Sequence, residues 1–452
     1  LQQQTHDLTE GPPMARLSWF ALPLLLGNLM QQLYNAVDSI IVGRFVGENA
    51  FAAIGVAGTV MNIYIFVLVG FCTGFSILFA SYFGAGDYDR LHSSLVTSCW
   101  FGSLLSLAGG LGGILLLRPL LNAIRTPADI ADDAALYLRT VLMGLIFTFL
   151  YNFFAAALRS IGSSASALFF LLLATVIHIL LDILFVAVWG MGVRGVGLAT
   201  VISQAISVVC CALYAFRTFP ALRVSKKDFY YNRRALLDSA NYGAVSALQS
   251  SSLYIGKLFI QSAINPLGPV TIAAFSAATR LEDFLLTAGD SGSAALTVFI
   301  AQNRGAGLYD RALRGFFSWQ RVMIGAGIVL SLLMYVSHPR LLPLIAGNVR
   351  PETFVIAGRY LTAMCCFYAL SMVGCCFVGY FRGVGMIRIP FLGTTLQIGI
   401  RVLLSFLLTP FLSLCGVAVA TGAGWIAIII FQTAVYRSSF HQINDHPSME
   451  KS

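Results

Sequence analysis

The chain has 452 residues, 58% of them hydrophobic and only 10% charged, with a formal net charge of +9 and a mean hydropathy of +0.82. Soluble domains run near 45–50% apolar and about 25% charged, so a soluble enzyme or binding module is excluded. The positive balance then has to be read from where Lys and Arg fall along the chain, not as affinity for nucleic acid.

A membrane-spanning helix needs about 20 largely apolar residues, and the sequence offers twelve such stretches, near 16–42, 51–80, 92–117, 135–158, 164–190, 195–217, 236–264, 270–301, 312–337, 354–381, 389–413 and 416–436. The polar start leads directly into a first stretch that is too long for a signal peptide and lacks a small-residue cleavage site, so it is expected to remain as a span. With both ends cytoplasmic, seventeen Lys and Arg fall on the cytoplasmic side and eight on the other, which sets the expected orientation. The expected organisation is a tail at 1–15, an N-lobe of six spans at 16–218, a basic linker at 219–235, a C-lobe of six spans at 236–437 and a tail at 438–452.

Along span one, Asn28, Gln31, Asn35 and Asp38 recur at spacings of three, four and three, one polar stripe on an apolar helix. Pro23, early in the same span, removes a backbone hydrogen bond and marks a candidate hinge. Span four contributes Tyr137 and Asn152. Thr175, His178 and Asp182 form a second stripe on span five, and Thr200, Gln204 and Ser207 a third on span six. Ionisable groups inside a bilayer are costly and mark function by default. Two carboxylates brought together in one lobe, Asp38 and Asp182, cannot both stay ionised cheaply unless a cation lies between them. That is a coupling device for H+ or Na+, with simple satisfaction by neighbouring hydrogen bonds as the structural alternative.

The chain then repeats itself. Residues 51–90 align without a gap onto 272–311, so that Gly84-Ala85-Gly86 meets Gly305-Ala306-Gly307 and Tyr88-Asp89-Arg90 meets Tyr309-Asp310-Arg311. Tyr137, Arg159 and Gly195 meet Tyr360, Arg382 and Gly416, an offset of 221 to 223. Six helices per half make the repeat parallel, and two pseudo-symmetric lobes around a central cleft are expected. The second half carries Lys257, Arg280 and Arg401 against Glu282, Asp283 and Asp290. Mutual neutralisation and a second titratable site both account for this C-lobe charge cluster. No G-x-x-x-x-G-K-[ST] loop occurs, which excludes ATP hydrolysis by a P-loop. The nine cysteines include three adjacent pairs, whose side chains diverge on a helix; they read as packing residues, and no metal or cofactor is expected.

The opening Asp7-Leu8-Thr9-Glu10-Gly11-Pro12, then Leu22-Pro23-Leu24, Tyr34-Asn35-Ala36-Val37-Asp38 and Ile41-Val42-Gly43-Arg44, and the Phe83-Gly84-Ala85-Gly86 turn, resemble bacterial MATE (multidrug and toxic compound extrusion) proteins. The likeness runs from about residue 7 to 437 and is nearest to the DinF-like branch. It implies an all-α membrane fold and an N-lobe cation site at the positions of Asp38, His178, Asp182 and Thr200, with Gln31, Asn35, Tyr137, Asn152 and Thr175 supporting. His178 stands where that branch has asparagine, which favours protons over sodium. The expected function is an antiporter, not an enzyme, exporting amphipathic, often cationic drugs or metabolites by alternating access. Its expected setting is the bacterial inner membrane, as a monomer. A flippase for an amphipathic lipid substrate on a related fold is the alternative.

Overall fold

The computed structural model describes residues 7–124, 126–230, 232–346 and 350–445, with the side chains of 33–40, 42–44, 48, 226, 345–346 and 439–445 left out of the description. Among the described residues there is no strand and there are fifteen α-helices. In chain order they are α1 (Pro13–Phe45), α2 (Glu48–Gly84), α3 (Tyr88–Leu115), α4 (Leu117–Ala123), α5 (Ala128–Met143), α6 (Leu145–Ser160), α7 (Ser164–Asp182) and α8 (Gly192–Thr218). There follow α9 (Arg233–Ile264), α10 (Pro269–Gly305), α11 (Tyr309–Ala346), α12 (Pro351–Cys365), α13 (Tyr368–Gly383), α14 (Arg388–Leu412) and α15 (Leu414–Asp445).

Eight of these helical segments are long and apolar enough to cross a membrane, and two bent pairs, α5 with α6 and α12 with α13, each qualify together as one span. The two remaining expected spans are α1 and α9, of 33 and 32 residues. The expected straight spans at 135–158 and 354–381 are corrected to broken ones, bent by 49° and 55°. The first break is at Gly144, where an added Cβ would stand 2.4 Å from the Val201 side chain, so glycine lets α8 approach at the joint. Pro23 lies inside α1, and the helix continues through it. The last helix also runs further than the expected C-terminal tail boundary, to Asp445.

The chain divides into two compact units, residues 1–251 with 301–309 and residues 252–300 with 310–452. The division therefore falls inside α9 and near the end of α10, away from the polar connector at 219–235. In the first unit a row of phenylalanines fills the core: Phe71, Phe75 and Phe79 follow one another along α2, and Phe79 meets Phe153 of α6 edge-on at 5.8 Å. The first part of α9 lies tight against α2, because Cβ atoms at Gly70 and Gly74 would fall 2.4 Å from Ala247 Cα and 2.2 Å from the Tyr242 carbonyl oxygen.

The repeat appears here as a reciprocal contact. A Cβ at Gly84 would meet the Gln302 carbonyl oxygen at 2.0 Å, and one at Gly305 would meet the Ser81 carbonyl oxygen at 2.0 Å. Gly305 and Gln302 are the repeat mates of Gly84 and Ser81, so each copy of the motif uses its glycine to admit the backbone of the other. The same corner holds the chain start. The Leu8 amide donates to Gln302 Oε1 at 3.0 Å, Asn303 Nδ2 donates to the Leu8 carbonyl at 3.2 Å, and Gln302 Nε2 donates to the Ser160 carbonyl at 2.6 Å. Leu8, Gln302 and Asn303 are all buried.

In the second unit Phe316 of α11 is the centre of an aromatic cluster with Phe377 and Tyr380 of α13 and Tyr436 of α15. The two long helices α14 and α15 pack along one another.

Candidate functional site

The candidate site in the first unit is built where α7 ends. Thr175, His178 and Asp182 lie one turn apart on α7, whose neighbours are α1 and α8. His178 is 1% exposed and Asp182 0%, so neither faces lipid. His178 Nδ1 stands 3.2 Å from Asp182 Oδ2, and His178 Nε2 stands 3.1 Å from Thr200 Oγ1 on α8. The Thr200 hydroxyl donates to the Val196 carbonyl at 3.1 Å. Its proton is thereby committed, and its oxygen is left to accept from Nε2–H.

That assignment fixes the chemistry of the other ring nitrogen. With Nε2 protonated, Nδ1 and the carboxylate share a single proton, carried either as imidazolium beside carboxylate or as imidazole beside carboxylic acid. Without it, two lone pairs would face each other in a site shut off from water, which is costly. The pair is thus a one-proton store, neutral when loaded and singly negative when empty.

A polar path leads away from it. Thr148 of α6 donates to Gln204 Oε1 of α8, one helical turn from Thr200, and Asn152 Nδ2 donates to the Thr148 carbonyl at 2.8 Å. The spacing of Thr200 and Gln204 was visible in the sequence; the link through Thr148 was not, because nothing in the pattern of span four pairs it with span six. Thr175 turns its hydroxyl back onto its own helix, donating to the Leu171 carbonyl at 2.9 Å. Tyr137 is half-buried against Val186 and Val196. Asn28 and Gln31 on α1 are exposed. Asn35 and Asp38, the other half of the expected stripe, lie outside the described residues.

Asp182 is also the last residue before a π-helical segment, Ile183–Val188. The Trp189 amide reaches back to the Leu184 carbonyl at 2.9 Å, the longer bond of a π turn. Such turns inside α-helices recur at functional sites. Beyond it, a surface hollow of about 540 Å³ is lined by Val46, Gly47, Asn49, Asp133, Gly192 and Val193 among others. Val193 precedes Thr200 by seven residues, about 10.5 Å of helix. Val186 and Val196, with Val46, Ile54 and Tyr137 packed on them, form an apolar plug near this hollow.

In the second unit the expected charge cluster resolves into three pairings. Glu282, 4% exposed, accepts from Tyr360 Oη at 2.9 Å and Tyr368 Oη at 3.0 Å, with the Arg401 guanidinium beside it. Lys257 Nζ lies 3.3 Å from Asp283 Oδ1. Asp290 has Arg382 as its first charged neighbour, a correction to the expected partner Arg280, which is exposed. Arg382 was overlooked because it sits at the end of span ten, counted there as a loop charge. Among the described residues no group of three His, Cys, Asp or Glu side chains is placed to hold a metal ion.

A duplicated, all-helical chain with eight to ten apolar spans and a proton-storing pair sealed inside one helical unit is a multi-pass membrane transporter. The MatE family profile matches residues 23–184 and again 246–407, a shift of 223 residues at both ends that coincides with the internal repeat. The chain belongs to the MatE family. It is 25% identical over 386 residues to the probable multidrug resistance protein YpnP of Bacillus subtilis, covering 84% of this chain and 85% of that one. It is 27% identical over 354 residues to the probable multidrug resistance protein YoeA of the same organism, covering 76% of each. A crystal structure of MATE in the straight conformation superposes with a TM-score of 0.91 at 20% identity, over 99% of this chain and all of that one, which establishes the fold.

Proposed function

We propose that this transporter is an ion-coupled exporter of amphipathic, often cationic compounds. It works by alternating access in the bacterial plasma membrane, with both termini cytoplasmic, as a monomer. The proton is the coupling ion and sodium the alternative. The drug-export part rests on the relatives, two of which carry the name of probable multidrug resistance proteins. The proton part rests on one observation, the buried His178–Asp182 contact at 3.2 Å with the far ring nitrogen on Thr200.

Coupling follows if the two states of the transporter differ in affinity for each ligand. A loaded His178–Asp182 pair is neutral and stable when sealed; an emptied pair is a buried negative charge that favours opening or the approach of a cation. Imidazole already occupies one side of the carboxylate, which leaves fewer oxygen donors for sodium than an amide there would provide. Asp38 on the neighbouring α1 is the second carboxylate of this reading, and the plug at Val186 and Val196 separates the pair from the hollow.

The test is substrate-driven proton movement in proteoliposomes, with and without sodium. A cationic dye should drive proton flux in the wild type, and Asp182→Asn, His178→Ala and Asp38→Asn should each abolish it without rescue by sodium. Full proton-coupled export by Asp182→Asn would remove this site from the mechanism.

A further inference from the structure

Charged side chains within a membrane-spanning helix face protein or water, not lipid, so one that is exposed marks a wetted surface. In the second unit Lys257 on α9 is 65% exposed and its partner Asp283 on α10 is 43% exposed; Arg280 and Asp290 on α10 are exposed as well. None of them is near a helix end: Asp283 and Asp290 are about 21 and 31 Å along α10 from Pro269, at 1.5 Å per residue, in a helix of about 55 Å. The next residue along the helix from Asp283, Glu282, turns about 100° away and is closed off by two tyrosines. One of two adjacent carboxylates is therefore locked into the packing and the other is left open.

The open groups are arranged with alternating sign. Asp283 and Asp290 are seven residues apart, two turns and about 10.5 Å along one face of α10, and Arg280 projects within about 60° of Asp283. Lys257 stands on a polar stripe with Tyr254 and Gln261. It pairs with Asp283 and is also a charged neighbour of Asp290, behind Arg382. An exposed ion pair of this kind is worth only about 0–1 kcal/mol, so it opens readily for a competing charge. A carboxylate or phosphate can take the ammonium of Lys257 from Asp283, and the released Asp283, with Asp290, can take a protonated amine.

We propose that this face of α9 and α10 recognises zwitterionic substrates, Lys257 holding the anionic group and Asp283 and Asp290 the cationic one. This deepens the export reading and rests on it. A face built for simple cations would gain nothing from a mid-membrane lysine, which repels them.

The experiment compares one xanthene dye in two forms, the methyl ester, a permanent cation, and the free acid, a zwitterion. Protein-dependent export of each is measured in proteoliposomes against protein-free vesicles. The wild type should export both. In Lys257→Met the ratio of free-acid to ester export should fall about ten-fold, and in Lys257→Arg, which keeps the charge, it should stay near the wild-type ratio. An unchanged ratio in Lys257→Met, an equal fall in Lys257→Arg, or a wild type that exports the ester alone overturns the proposal and leaves the export reading standing. Export of neither dye by the wild type overturns both.

Discussion

Replacing Gly84 by alanine tests the reciprocal contact between the two copies of the Gly-Ala-Gly motif. The new methyl carbon would start 2.0 Å from the Gln302 carbonyl oxygen and needs about 3.4 Å for an ordinary contact, so α2 and the end of α10 must part by about 1.4 Å. The atom in the way is backbone and cannot swing aside, and the Gln302 side chain holds Leu8 and Ser160. Overpacking of this kind costs about 1–3 kcal/mol, and each clamp hydrogen bond lost adds about 1 kcal/mol. Gly58 on the same helix has open space where its Cβ would go, so Gly58→Ala should be neutral or stabilising by about 0.5–1 kcal/mol, because alanine is the better helix former. Unfolding in detergent can be followed with a thiol-reactive dye, since Cys72, Cys211 and Cys376 are buried. At about 2–4 °C per kcal/mol for a unit of this size, Gly84→Ala should lower the midpoint by roughly 2 to 12 °C. Equal midpoints for Gly84→Ala and Gly58→Ala would refute the close approach.

Two further predictions concern charges outside the candidate site. Asp228 in the connector is buried, which by itself raises its carboxyl pKa, but the Ser225 amide and hydroxyl and the His92 and Lys227 charges outweigh that and hold it below the usual carboxylate value. The Ser225 amide lies 2.6 Å from Asp228 Oδ2 and His92 Nδ1 lies 3.7 Å away. A depressed pKa contributes stability that is full above the unfolded value, about 3.9, and disappears as pH falls through the folded value. Asp228→Asn should therefore speed hydrogen exchange in residues 219–230 about ten-fold at pH 7, as expected for a lost bond to a charged acceptor. Below the folded value the difference should vanish; a difference that persists there contradicts the assignment. Glu282→Gln leaves Arg401 facing a neutral group inside the second unit and should destabilise it by about 3–5 kcal/mol, read as a fall in the unfolding midpoint. A wild-type midpoint would mean that Arg401 does not depend on Glu282.

The fold was readable at the level of spans because apolar length is a local property, and the repeat was readable because Gly84-Ala85-Gly86 and Gly305-Ala306-Gly307 keep their spacing. The stripe of His178 and Asp182 was readable for the same reason, since residues four apart on a helix must meet. What stayed hidden depends on partners distant in sequence. Tyr360 and Tyr368 reach Glu282 across 78 and 86 residues, and Leu8 is held by Gln302 across 294. A faint signal for the latter existed in two consecutive amides, Gln302 and Asn303, at the end of an apolar run. The breaks at Gly144 and near Phe367 lie at repeat-equivalent positions, but apolar composition runs unbroken across them and carries no mark of a bend.

The wide turn after Asp182 has a mechanical meaning. Each π bond encloses one more residue than an α bond, so taking the turn back to α geometry would rotate everything beyond it by about 100° and slide it by about 1.5 Å, with both flanks still helical. Trp189 and Met191, whose amides reach back to Leu184 and Phe185, would be carried around with it. The carboxylate that shares a proton with His178 thus sits at a swivel, where a change of register on one helix can turn a gain or loss of charge into rotation.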